Sequence, residues 1–267
     1  MKYPKLPMDI DTDVNRFRTA CESGDIDTVK KLFIQINENE NINILEMRNL
    51  AVKNGYLNIL KFLHENGVNI TNREYQYGTN PLMIAAEMGW MDIVDYLLNP
   101  KHADVEQQEI NFALMKAIRY KNIDIVDILI ETGKCNLNFE NVLGNTPLSL
   151  AILFGSKDIF HKLIIYGSDI NYINRYDENL LHHAVKNTNI EMVDIILSFN
   201  TNIEINKKDD HGNTPLMYSY IYRNIDIMEI LLKNGADPKI KDDTGKSLRD
   251  YAQTNAIKDL LDKYTYD

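Results

Sequence analysis

Three groups of residues in this chain have types that could do chemistry. Gly245-Lys246-Ser247 ends like a phosphate-binding loop, in which backbone amides cradle a phosphate, the lysine reaches its oxygens and the hydroxyl holds magnesium. The glycine that such a loop needs five residues before Gly245 is Ile240, and no strand pattern precedes it. His182-His183 offers two imidazoles, but adjacent helical residues point about 100° apart and do not converge on one metal. Cys21 and Cys135 lie far apart, which suits a reducing compartment and argues against both a disulfide framework and a metal knuckle. Each is expected to pack as a small apolar residue. No Cys-His, Ser-His or paired-carboxylate arrangement falls on a common cleft. The expectation is a protein that is not an enzyme, with no catalytic residues, no cofactor and no metal.

The elements that would position any site are repeats. Gly144-Asn145-Thr146-Pro147-Leu148-Ser149-Leu150-Ala151 is matched by Gly212-Asn213-Thr214-Pro215-Leu216-Met217-Tyr218-Ser219. Weaker copies occur at 78–85, 111–117 and 177–184. The small residue that ends each frame recurs as Ala20, Ala51, Ala85, Ala117, Ala151, Ala184, Ser219 and Ala252, at spacings of 31 to 35 residues. A helix-ending Gly or Asn should follow sixteen positions later, and Gly67, Gly133, Gly167, Asn200 and Gly235 stand there; these types enter the left-handed conformation most cheaply. Between anchor and stop, apolar residues sit at offsets near 6, 8, 9 and 12, as in Leu57, Ile59, Leu60, Leu63 and in Ile225, Ile227, Met228, Leu231. That spacing predicts one apolar helix face in each unit.

A unit of this length carrying Thr-Pro-Leu, with Leu181-His182-His183-Ala184 keeping a histidine in the frame, resembles an ankyrin repeat. The resemblance implies an all-α solenoid of about eight helix-turn-helix units joined by β-hairpin-like loops. Its expected form is a single domain over residues 1–267, with units at 9–36, 37–69, 70–101, 102–135, 136–169, 170–202, 203–237 and 238–267, the first and last as caps. Thr caps the first helix, Pro suits its first turn, and the small anchor lets helices approach. Asp13 is expected to open the first helix pair, and the loop at 37–41 lacks the usual stop glycine. Leu248 and Arg249 depart from the usual Pro and Leu, as a terminal unit with no following neighbour allows. After Leu260-Leu261 no room for an added domain is expected, a departure from poxvirus ankyrin proteins that carry a C-terminal ubiquitin-ligase adaptor box.

The chain is 44% hydrophobic and 25% charged, an ordinary soluble composition, and it has no apolar run long enough to span a membrane; Met1–Pro7 is not followed by an apolar segment, so no secretory signal is expected. An intracellular, cytoplasmic protein is expected. A net charge of −10 with pI near 5.1 weighs against nucleic acid, since Lys207-Lys208 and Lys239 with Lys241 are each followed by paired aspartates. Richness in Asn, Ile, Lys, Tyr and Asp resembles the coding bias of AT-rich genomes such as those of giant DNA viruses, poxviruses, protists or intracellular bacteria. Membership there would imply action in a host cytoplasm.

Recognition is the chemistry that remains. The resemblance implies that the partner-facing positions are the hairpin tips and the two residues after each first helix's small pair. At those positions stand Tyr77, Met88, Tyr120, Leu143, Leu153, Phe154, Tyr176, Ile221 and Tyr222, of types enriched at protein interfaces. The tips also include Gln76, Gln108, Glu109, Val142 and Arg175. The expectation is a monomeric protein whose concave face binds another protein, as an adaptor or inhibitor. Packing of these side chains onto adjoining units is the competing reading, and self-association through the same stripe the alternative function.

Overall fold

The computed structural model describes residues 10–36, 43–73, 78–199 and 202–264. The chain divides into two compact units, Met1–Cys135 and Asn136–Asp267, and the division falls at a boundary between repeats.

The first unit contains α1 (Ile10–Ser23), α2 (Ile26–Ile36), α3 (Ile44–Lys53), α4 (Leu57–Glu65), α5 (Pro81–Met88), α6 (Met91–Leu98), α7 (Gln107–Arg119) and α8 (Ile123–Glu131). The second contains α9 (Pro147–Leu153), α10 (Lys157–Ile165), α11 (Leu180–Lys186), α12 (Ile190–Ser198), α13 (Pro215–Ile221), α14 (Ile225–Lys233), α15 (Leu248–Tyr251) and α16 (Asn255–Lys263). Each repeat is one odd-numbered and one even-numbered helix. In the first unit α1 packs on α3, α3 on α5 and α5 on α7; in the second α9 packs on α11, α11 on α13 and α13 on α15.

The frame residues explain where these helices begin. Thr146 and Thr214 accept a hydrogen bond from the third helical amide, with Pro147 and Pro215 as first helical residues. Asn80 and Asn179 do the same in the weaker copies, and each such cap contributes about 1 kcal/mol. All eight anchor residues are buried. The stops Gly67, Gly167 and Gly235 have φ of 87°, 95° and 92° and close their helices with a paired motif: Gly67 N–H donates to His64 O (2.9 Å) and Val68 N–H to Leu63 O (3.0 Å). Asn200 and the loop at 37–41 lie outside the described residues.

Three expectations need correction. The offset-six residues are not core: Met91, Ile190 and Ile225 are exposed. Each is the first residue of its helix and sits roughly 110° around the axis from the centre of the buried seam at offsets 8, 9 and 12. Gln108 and Glu109 are not a hairpin tip but lie in the first turn of α7, because Ile110 stands where Gly144, Asp177 and Gly212 make the left-handed turn in other repeats. The first helix starts at Ile10, ahead of Asp13.

In the second unit four hairpins follow one local code. Asn141, Asn174, Asp209 and Asp242 each accept two backbone amides through Oδ1, from the residues two and four positions on, at 2.9 to 3.1 Å. Two backbone bonds then close each loop, as in Asn141 N–H to Asn145 O and Gly144 N–H to Asn141 O, both at 3.0 Å. Among the described residues the one β-bridge is Lys241 with Ser247.

Candidate partner-binding surfaces

In the first unit the face made by the first helices is charged. Leu50, Lys53, Ile84, Glu87, Met88 and Lys116, with Glu46, Asn49 and Thr79, line a cavity of about 390 Å3. Lys116 Nζ donates to Glu87 Oε2 at 2.6 Å, and Arg18 pairs with Glu46 at 2.7 Å. Burial opposes ionisation of Glu87, but hydrogen bonds from Lys116 and Tyr120 and the charges of Lys116 and Arg119 outweigh it and hold the carboxyl below its ordinary value. Tyr120, exposed at the end of α7, is raised by the same bond to Glu87. Met88 is exposed beside it. Tyr77 and Gln76 lie outside the described residues.

Side chains far apart in sequence support this face. Arg48 is fully buried where other repeats place Leu82, Leu148, Leu181 and Leu216, and its guanidinium donates to the carbonyls of Asn69 (2.5 Å) and Asn72 (2.9 Å) and to Asn49 Oδ1. The segment so held delivers Arg73 to Glu109 at 2.9 Å, and Asn80 Nδ2 donates to the second oxygen of Glu109 at 2.5 Å.

In the second unit the corresponding surface is apolar. Val142 and Leu143, at a hairpin tip, are 82% and 70% exposed. Leu153 and Ile221 are exposed near the ends of α9 and α13, with Tyr222 beside Ile221 and Phe154, half-buried, beside Leu153. Tyr176 lays its ring against the preceding hairpin: a Cβ on Gly144 would come 2.6 Å from it. Arg175 joins the same pair of loops through Glu140 Oε2 at 2.6 Å.

Behind these residues lies a polar network that the repeat register did not single out. Tyr218 Oη donates to Asp209 Oδ2 at 2.6 Å, and Lys186 Nζ pairs with Glu178 and stands 4.2 Å from the centroid of the Tyr218 ring. Asn174 Nδ2 donates to Glu178 Oε2 at 3.0 Å. Burial and the bond to Asp209 push the Tyr218 hydroxyl up to about 12; burial would lower Lys186, but Glu178 raises it. Neither gives up a proton near neutral pH, so the network braces α11 against α13 and is poorly suited to acid–base work. The legible signal was the Asx position of the hairpin; the Tyr218 and Lys186 partners depend on stacking between repeats.

The remaining chemical candidates have structural explanations. His182 is buried; Asn179 N–H donates to its Nδ1 (3.1 Å), which leaves Nε2–H to donate to Asn213 O (3.2 Å). Burial holds it down to about 4, against the opposing pull of Asn213, Asp209 and Glu178. At Gly245-Lys246-Ser247, Asp242 and Asp250 already take the amides of Thr244, Lys246 and Ser247, the donors that a phosphate would need. Burial raises both thiols to about 12. Among the described residues no cluster of metal-ligating side chains forms, and no helix is long and apolar enough to cross a membrane.

Comparison with known proteins agrees with this architecture. The family model for ankyrin repeats (3 copies) matches residues 17–109, 101–174 and 158–242, and the chain belongs to the ankyrin repeat family. It is 32% identical over 158 residues to an ankyrin repeat protein of fowlpox virus, covering 56% of this chain and 46% of that one. It is 31% identical over 142 residues to an ankyrin repeat protein of Acanthamoeba polyphaga mimivirus, covering 51% of this chain and 18% of the relative. A stretch of 184 residues, 68% of the chain, is 29% identical to 30% of an L-asparaginase of Dirofilaria immitis. The chain thus spans less than half the length of each of these relatives. Ankyrin repeats are a protein–protein interaction module, and the sequence shares that module with viral proteins.

Proposed function

We propose that this chain is a non-enzymatic adaptor or inhibitor that binds a partner protein on the first-helix faces of its two units. The viral relatives favour action in the cytoplasm of a host cell. The observation that carries the reading is the apolar exposure in the second unit: Leu143 at 70%, Ile221 at 53% and Leu153 at 41%. Large side chains left in water at hairpin tips and helix ends add little to folding, and such patches mark recognition sites. Phe154, Tyr176 and Tyr222 extend this surface, and the exposed Met88 and Tyr120 offer a smaller one on the first unit. Self-association through the same residues is the competing use.

A Leu143→Asp, Leu153→Asp double variant tests the reading. Both positions are exposed, so the melting temperature should move by no more than a few degrees. Capture of the partner from host-cell extract, followed by mass spectrometry, should fall at least tenfold, the scale of one hot-spot residue. Capture at wild-type level by the folded variant sinks the assignment. Light scattering on the wild-type chain separates self-association, which gives a concentration-dependent mass that the double variant abolishes.

A further inference from the structure

The last repeat is shorter than its neighbours at one place. Pro81 to Met91, Pro147 to Lys157, Leu180 to Ile190 and Pro215 to Ile225, the first residues of paired helices, lie ten positions apart, whereas Leu248 and Asn255 lie seven apart. Nearly one helical turn is missing: α15 has four residues, and Ala252 is already extended at φ −62°, ψ 110°.

In the internal repeats that turn has a fixed task. At four places within the units the residue five past an anchor lies over the glycine four past the preceding anchor: Tyr56 covers Gly24, Trp90 covers Gly55, Asn122 covers Gly89 and Asn189 covers Gly155. Its side-chain N–H can also bind the end of the preceding first helix. Trp90 Nε1 donates to Lys53 O at 3.1 Å, and Asn122 Nδ2 to the carbonyls of Ala86 (2.8 Å) and Glu87 (3.1 Å).

In the last repeat the residue five past the anchor is Ile257, already inside α16. Between it and Arg223 lies a cavity of about 500 Å3, lined also by Tyr220, Ile221, Ile225, Met228, Gln253 and Thr254. Ile225 is 51% exposed, against 37% for Ile190 at the same register. The carbonyl of Ile221 corresponds to the one that Lys53 offers Trp90. Arg223 is the one charged side chain on the wall, so the cavity combines an apolar floor with a single positive charge.

We propose that this cavity docks a turn of a partner protein carrying a tryptophan beside an acidic residue. The indole occupies the place that Trp90 fills within the first unit, and the carboxylate meets Arg223. The proposal rests on the chain being a protein-binding module, but its residues other than Ile221 are separate from the patch around Leu143 and Leu153.

The test is methyl NMR on the full chain, labelled at isoleucine and methionine, titrated with N-acetyl-Trp-Glu-amide. Saturable shifts are expected at Ile221, Ile225, Met228 and Ile257, unchanged by Leu143→Asp, so that failure here and failure of the Leu143 patch are scored separately. N-acetyl-Trp-Gln-amide, or the Arg223→Gln variant, should weaken binding about fivefold, as expected for one solvent-exposed ion pair. N-acetyl-Leu-Glu-amide should shift these methyls less. The proposal is overturned by an absence of saturable shifts at these methyls at millimolar peptide, or by affinity that ignores both the Glu→Gln probe and Arg223→Gln. Broadening of the same methyls with protein concentration and no peptide also overturns it, because the occupant would then be a second copy of the chain.

Discussion

The two units build their loops by different means. In the second unit each hairpin turns on one Asx side chain that bonds amides two and four residues away, so the turn is set locally even where bonds such as Arg175 to Glu140 join neighbouring loops, and the tip carries Val142 and Leu143 into solvent. In the first unit α7 has absorbed the corresponding loop, and the nearby segment at 69–73 hangs on Arg48, Arg73, Asn80 and Glu109, which meet across 20 to 40 residues of sequence. Local support leaves the tip available for contact. Long-range support occupies the polar groups that build it and leaves a face of paired charges around Lys53, Glu87 and Lys116.

The largest effect should come from removing the long-range support. Arg48→Met keeps much of the side-chain volume but removes the charged donor from the carbonyls of Asn69 and Asn72 and leaves the buried amide oxygen of Asn49 without it. At about 1.5 kcal/mol for each hydrogen bond from a charged group the first unit should lose on the order of 4 kcal/mol. Asn141→Ala in the second unit exposes its two amides to water near the surface and should cost only about 1 kcal/mol. Urea unfolding of both variants checks the contrast, and equal losses would show that the two kinds of support differ in appearance alone.

Acidification should separate the units next. His182 is held near 4 in the folded protein, against an ordinary 6.5. Below pH 6.5 the unfolded chain takes up a proton that the native state refuses, so the stability present above that pH declines as pH falls towards 4. The loss approaches roughly 3 kcal/mol for a group so deeply buried. Of the groups around it, Lys186 stays protonated, Glu178 and Asp209 are held below their ordinary values, and His183, also lowered by burial, adds to the decline, so His182→Gln is the control, and it should flatten much of the decline over this window. In the first unit Met83 stands at the equivalent place in α5 and brings no such term. Hydrogen exchange followed at two pH values would read the two units independently, and an equal decline in both would assign the effect to carboxylates.

How far such features could be read from sequence depends on the range of the interaction that makes them. The caps at Thr146 and Thr214, the stops at Gly67 and Gly235 and the buried anchors were legible, because each is decided by residues within one turn. Burial of offsets 8, 9 and 12 was legible for the same reason, whereas offset 6 was misjudged because apolar identity alone does not say on which side of the seam a first helical residue falls. The buried Arg48 was invisible: a charged residue in a leucine register looks like decay of the motif until its carbonyl partners are known. Exposure of Leu143 and Leu153 followed from register. The cradle of Tyr176 against Gly144 and the pairing of Tyr218 with Asp209 did not, since both depend on how one repeat rests on the next.

The smallest effect concerns a position that every internal repeat treats alike. The residue four past the anchor turns left-handed throughout: Gly24, Gly55, Gly89 and Gly155 have φ of 80°, 82°, 84° and 63°, and Lys121, Thr188 and Arg223 occupy the same place at 60°, 50° and 57°. A β-branched side chain suffers most there, because its methyl and hydroxyl crowd the backbone. Thr188 N–H still donates to Val185 O at 2.9 Å, a bond that glycine keeps. Thr188→Gly should therefore relieve about 1–2 kcal/mol of strain and lose part of that to the greater freedom of glycine in the unfolded chain, for a net gain of roughly 0.5–1 kcal/mol. Lys121→Gly in the first unit should gain less, since an unbranched side chain tolerates the conformation better. Opposed to both is Gly55→Ala, where the added methyl would come 2.9 Å from the Trp90 ring and should destabilise. Melting temperatures that rise for Thr188→Gly, rise less for Lys121→Gly and fall for Gly55→Ala would establish one backbone requirement common to both units. A fall for Thr188→Gly would mean that the threonine side chain makes a contact worth more than its strain.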